Sequence, residues 1–293
     1  MKNIIVSFLV LLLFSSFDGC VPKPQNKYLT YQNIVVISDM SSRLDNRPQK
    51  DINEIVKIVQ FFKTECVKPG EKIGDKSCIS FSAFSKKTAS TIDISKIKNL
   101  GEKQRFINST AEYQKCGLNQ QITNFNSIVK KVYATTRNPG LDLISLLIEK
   151  ISNEPIIKED TYLTDGIDTT YLRYENHIYI FTDGYLEYRG KSTNSQFYYG
   201  ISEIAKVRKY CKVNKVNVLK ALETDPSLCL PACNYKLNKY IILHILETHE
   251  RDKDLTSQTY NNPTGQRDNE ILEAVWGKWA KDSGFKGLIW DKY

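Results

Sequence analysis

The stretch 33–43, NIVVISDMSSR, constrains this chain more than any other. Ile34, Val35, Val36 and Ile37 are four consecutive β-branched residues. An unbroken apolar run of that kind reads as an interior strand of a sheet covered on both faces, because a half-buried strand would alternate. The run stops at Asp39, followed by Ser41, Ser42 and Arg43. Open α/β sheets place ligands where strands end, so a carboxylate and a hydroxyl two residues apart at that point suit a hard cation or an anion. The pattern recurs at 177–184, HIYIFTDG, where an apolar strand again ends at a carboxylate, Asp183.

Between and after these strands the periodicity alternates. Ile52, Ile55, Val56, Val59 and Phe62 predict a helix over 49–65. CISFSAF predicts a strand over 78–84, with Ile79, Phe81 and Ala83 on one face. Two helices are expected near 103–116 and 123–133, and another over 141–151 from Leu141, Ile144, Leu147, Ile148 and Ile151. Residues 160–174 read as a loop or hairpin around Thr164-Asp165-Gly166. A helix at 201–210, an irregular basic stretch, a strand at 240–246 and a polar loop at 252–267 follow. Ile271, Leu272, Val275, Trp276 and Trp279 form the last helical stripe, with the tryptophans as core anchors. Strands alternating with helices predict an α/β fold, doubly wound, with a mostly parallel central sheet and helices on both faces.

The ends and the cysteines set the expected compartment. Residues 4–14 are apolar apart from Ser7 and follow Lys2, so 1–19 reads as a signal peptide rather than a membrane span. Cys20 after Gly19 is the expected lipid-anchor residue, and 20–32 a tether; a plain signal peptide or an uncleaved anchor is the other reading. Residues 33–293 then form one domain, exported and held at the bacterial envelope. The formal charge of +8 stays near that value without the leader. It is spread through short stretches such as YCKVNKVNVLK, which suit an anionic membrane surface or a polyanion; export argues against nucleic acid. Setting Cys20 aside leaves six cysteines, an even set that in an exported chain suggests disulfides, with 15 full pairings. Cys66 closes a predicted helix and Cys78 opens the next strand, so they are the first expected pair; Cys229 with Cys233 is the second.

At 39–43 and 182–184 the sequence resembles the von Willebrand factor A domain family, in its exported lipoprotein branch. Its metal-ion-dependent adhesion site uses Asp-x-Ser-x-Ser after the first strand, a Thr from a middle loop and an Asp from a later strand end. The resemblance implies a doubly wound sheet with Mg²⁺ or Mn²⁺ held by Asp39, Ser41 and Asp183, and a protein or peptide partner completing the shell. Arg43 stands where the second serine is usual, and Leu141 where the coordinating Thr is usual, leaving Thr135 or Thr136 just upstream to reach in; Thr136 is the assigned ligand. Three readings of the acidic pocket stay open: a divalent ion, Arg43 substituting for the ion by pairing with Asp39 or Asp183, or plain capping by Asp39. Function divides likewise between a binding module, a metal-dependent hydrolase using the same crevice, and a structural or assembly lipoprotein with a relic site. His177 reads as an edge or satisfied core residue, and His244 and Glu247 in HILETHE fall on opposite faces of a strand.

Overall fold

The computed structural model describes residues 26–41, 48–71, 75–136, 140–164, 168–188, 196–247, 251–254 and 256–292. The expected signal peptide, Cys20 and Arg43 lie outside these residues. Among the described residues seven strands form, β1 (Asn26–Ser38), β2 (Cys78–Ala83), β3 (Ser90–Asp93), β4 (Thr161–Thr164), β5 (Thr169–Thr182), β6 (Ile241–Glu247) and β7 (Gly287–Lys292). The helices are α1 (Pro48–Phe61), α2 (Leu100–Asn108), α3 (Leu118–Thr135), α4 (Leu143–Asn153), α5 (Ile201–Asn214), α6 (Val218–Thr224) and α7 (Asp268–Asp282). None of the helices among the described residues is long and apolar enough to cross a membrane.

The chain divides into two compact units, 1–29 with 160–173, and 30–159 with 174–293. In the larger unit the strand order is β3-β2-β1-β5-β6-β7. β1 pairs parallel with β2, β5 with β6 and β6 with β7, while β3 closes one edge antiparallel to β2. This is a doubly wound, mostly parallel sheet with helices on both faces, as the alternating pattern predicts. In the smaller unit β4 runs antiparallel to the start of β5, with Tyr162 opposite Tyr171. Thr161–Thr164 and Thr169–Leu172 therefore pair as the two arms of a hairpin.

Two cores flank the sheet, and strand alternation decides which residue enters which. Val35 and Ile37 of β1, Ile178 and Ile180 of β5, and Leu243 and Ile245 of β6 pack with α4, α5, α6 and α7. Ile34 and Val36, with Ile79 and Phe81 of β2, pack instead against α1, α2 and α3. The continuous β-branched run in β1 is thus explained: successive residues serve opposite cores. Trp276 and Trp279 are both buried in the first core, edge-to-face with centroids 5.6 Å apart.

The expected disulfides are not formed: Cys66, Cys78, Cys116, Cys211, Cys229 and Cys233 are all free thiols. The reason for the first pair is strand parity. Cys66 enters the core with Ile79 and Phe81, whereas Cys78 shares the parity of Ser80 and faces the other side of β2. Cys229 and Cys233 turn toward different partners, the Leu222 carbonyl at 3.2 Å and the Ser283 hydroxyl at 3.6 Å.

Candidate binding edge at the ends of β1 and β5

Strand order reverses between β1 and β5: from β1 the chain winds outward to β2 and β3, and from β5 to β6 and β7. In open α/β sheets such a reversal point is where ligand crevices form, outside the carboxyl ends of the strands. Asp39 and Asp183 stand at those ends. The Asp39 amide donates to the Phe181 carbonyl at 2.9 Å, joining the two loops at their base.

Each carboxylate has a different partner. Asp39 is buried and accepts both the Ser41 amide and the Ser41 hydroxyl, each at 3.0 Å. This is the turn-capping geometry open to Asp followed two residues later by Ser. Beneath it, the buried Tyr133 hydroxyl bonds Ser38 Oγ at 2.8 Å and Asp51 Oδ2 at 3.1 Å, tying the end of β1 to α3 and α1.

Asp183 is held by Arg251, from the loop after β6. Arg251 Nε and Nη2 lie 2.9 and 2.8 Å from Asp183 Oδ2, and Nη1 bonds Glu187. The guanidinium sits 4.0 Å from the centre of the Tyr185 ring. Burial works against the arginine's charge, but Asp183 and Glu187 outweigh it and raise its pKa further. A second set continues from Tyr185, whose hydroxyl donates to Asp268 at the start of α7; Arg208 donates to the same carboxylate. Burial first, and then Asp268, push the Tyr185 phenol above its ordinary pKa. The Asp268 amide in turn donates to Asp252 Oδ2 at 2.9 Å.

Gly184 lets this turn exist. Its φ of +83° favours glycine, and a Cβ there would come within 2.5 Å of the Trp290 ring. Its carbonyl accepts the Trp276 indole N–H at 2.8 Å, so the last helix pins the Asp183 loop.

The expected Mg²⁺ or Mn²⁺ does not fit these residues. Among the described residues no group of three or more His, Cys, Asp or Glu side chains is placed to hold a metal ion. Protein cations stand where the ion was expected: Arg251 on Asp183, and the Lys86 ammonium 3.0 Å from Thr136 Oγ1. A divalent ion there would be repelled by both.

Arg251, Tyr185, Arg208 and Asp268 were not singled out in the sequence. The one available signal was the position of Arg251 shortly after a strand, just before the loop read as polar over 252–267. His177 and His244 were read separately, yet they face each other across β5 and β6, with Nδ1 and Nε2 2.8 Å apart. Tyr179 stacks on His244 at 4.2 Å. Neither protein-family models nor curated proteins provided a match to this chain.

Proposed function

We propose that this chain is an exported, lipid-anchored binding module of the von Willebrand A type, which engages a protein or peptide partner at the β1/β5 edge through side chains alone. The observation that carries this reading is the reversal of strand order at the two strands whose ends bear Asp39 and Asp183. Asp39 and Asp183 are each braced where their strands end, by the Ser41 hydrogen bonds and the Arg251 ion pair, and pre-set groups of this kind lower the ordering cost of docking a partner. The resemblance at 39–43 and 182–184 supports the family, and Cys20 supplies the anchor.

A photo-crosslinking residue tests the edge. Placed at exposed Ser257, in the loop that carries Arg251, it is expected to give a discrete adduct in cells making the protein. Placed at exposed Lys239, which precedes β6 at the other end of that strand, it is expected to give none. No adduct at Ser257, or the same adduct from both positions, overturns the proposal. Palmitate incorporation lost in Cys20→Ser tests the anchor separately.

A further inference from the structure

One face of β2 is unlike the rest of the sheet. Ile79 and Phe81 enter a core, but Cys78 and Ser80 open onto a cleft of about 610 Å³. Its walls include Ser80, Thr88 and Thr91, the lysines Lys87, Lys96 and Lys158, and the carboxylates Asp93 and Glu154. Sequence reading saw only the apolar side of this strand.

The charges around the cleft are unbalanced. Lys158 is spent on Asp93, 2.9 Å away, and Thr88 donates to Glu154 at 3.1 Å. Lys87 and Lys96 are exposed, and neither makes a hydrogen bond or ion pair with the described residues. Further lysines, outside the cleft lining, gather near the start of β2, the end where Lys96 lies. Burial first, and then the charge of Lys98, hold the Lys76 ammonium below its ordinary pKa. Lys103 is lowered by burial and then by Lys76 and Lys98.

The donor set narrows the anion. Among the described residues no arginine lines the cleft, so an anion there is held by ammonium groups and hydroxyls rather than by a planar guanidinium fork. Ammonium groups act as point charges, and hydroxyls donate in any direction; together they suit the several oxygens of a tetrahedral anion. We propose that this cleft binds a phosphate group, with Lys87 and Lys96 supplying charge and Ser80 and Thr91 supplying hydrogen bonds. Two sources share that chemistry, a soluble phosphate compound and a phospholipid headgroup.

The test uses the Cys20→Ser protein, so that no acyl chain contributes to binding. Titration with pyrophosphate at constant ionic strength, followed by amide NMR, is expected to give saturable shifts centred on Thr88, Thr91 and Lys96. In parallel, the protein is mixed with phosphatidylglycerol or phosphatidylcholine vesicles. Lys87→Gln with Lys96→Gln should weaken binding at least tenfold. Lys239→Gln with Lys281→Gln, which removes the same charge elsewhere, should change it less than twofold. Selective loss with pyrophosphate supports a soluble ligand, and selective loss with phosphatidylglycerol vesicles alone supports a headgroup. Equal loss in both double variants, or no saturable binding to either probe, overturns the proposal.

Discussion

Replacing Arg251 with methionine is the sharpest perturbation of the β1/β5 edge. The substitution keeps much of the side chain's apolar bulk and removes only the cation. Asp183 is 2% exposed and Arg251 32%, so the carboxylate stays in a dry site while losing its counterion. Removing one partner of a buried pair costs about 3–5 kcal/mol. Water reaching the exposed third of Arg251 reduces this, and loss of the contact with the Tyr185 ring adds about 0.5–1 kcal/mol. The expected destabilisation is about 2–4 kcal/mol at pH 7.5, measured by urea unfolding. The penalty is for an unpaired buried charge, so a further result follows. Asp183→Asn with Arg251→Met should recover most of the loss, giving a coupling energy of about 2 kcal/mol in the double-mutant cycle. A loss no larger than that of an exposed ion pair, about 1 kcal/mol or less, together with coupling below about 0.5 kcal/mol, would refute the ion-pair reasoning.

Other consequences are open to simpler measurements. Burial, and then His177, lower the His244 pKa to about 4, against about 6.5 in an unfolded chain. The unfolded state therefore binds more protons between these values, and stability is lost as pH falls from about 6.5 to 4, by up to about 3 kcal/mol. His244→Phe should flatten that part of the profile, and an unchanged slope would count against the buried neutral pair. Gly184→Ala forces a β-carbon into a left-handed residue against Trp290, so a loss of about 2–3 kcal/mol is expected in thermal or urea unfolding. The Cys78 thiol is pushed up to about 12, mainly by burial, and Cys116 is exposed. Iodoacetamide at pH 8 should label Cys116 first and Cys78 only after unfolding, with mass spectrometry finding all six cysteines alkylated and none bridged.

How much of this was legible in the sequence follows from how local each signal is. β1, β5 and β6 stand out because apolar runs are written in consecutive residues. α1 and α7 stand out through their spacing, although α1 ends at Phe61 and passes into a wider π-helical turn through Val67. β3 has only four residues, Ser90–Asp93, and β7 lies in a terminal GLIWDK that carries no alternation. Both are strands because neighbours supply their hydrogen bonds, and a neighbour cannot be read from either segment alone. The start of β1 at Asn26 was hidden by the polar sequence NKYLTYQ, read as a tether. In the candidate site, the positions of Asp39 and Asp183 follow from a rule about strand ends. Their environment does not: Arg251 reaches Asp183 across 68 residues, Tyr185 reaches Asp268 across 83, and His177 meets His244 across 67. No spacing rule spans such separations. The expected metal shell failed for that reason, since the cation on Asp183 is Arg251, from a loop 68 residues away; the Arg43 reading lies outside the described residues. The disulfides failed because proximity along the chain says nothing about which face of β2 a thiol occupies.

The account rests on a protein cation, rather than a metal, neutralising the acid at the end of β5. A crystal of the protein soaked in Mn²⁺ and measured at the manganese edge tests this directly. The expected map has no anomalous peak between Asp39 and Asp183, and the Arg251 guanidinium within hydrogen-bond distance of the Asp183 carboxylate. A manganese peak ligated by Asp39, Ser41 and Asp183, with Arg251 turned away, would contradict it.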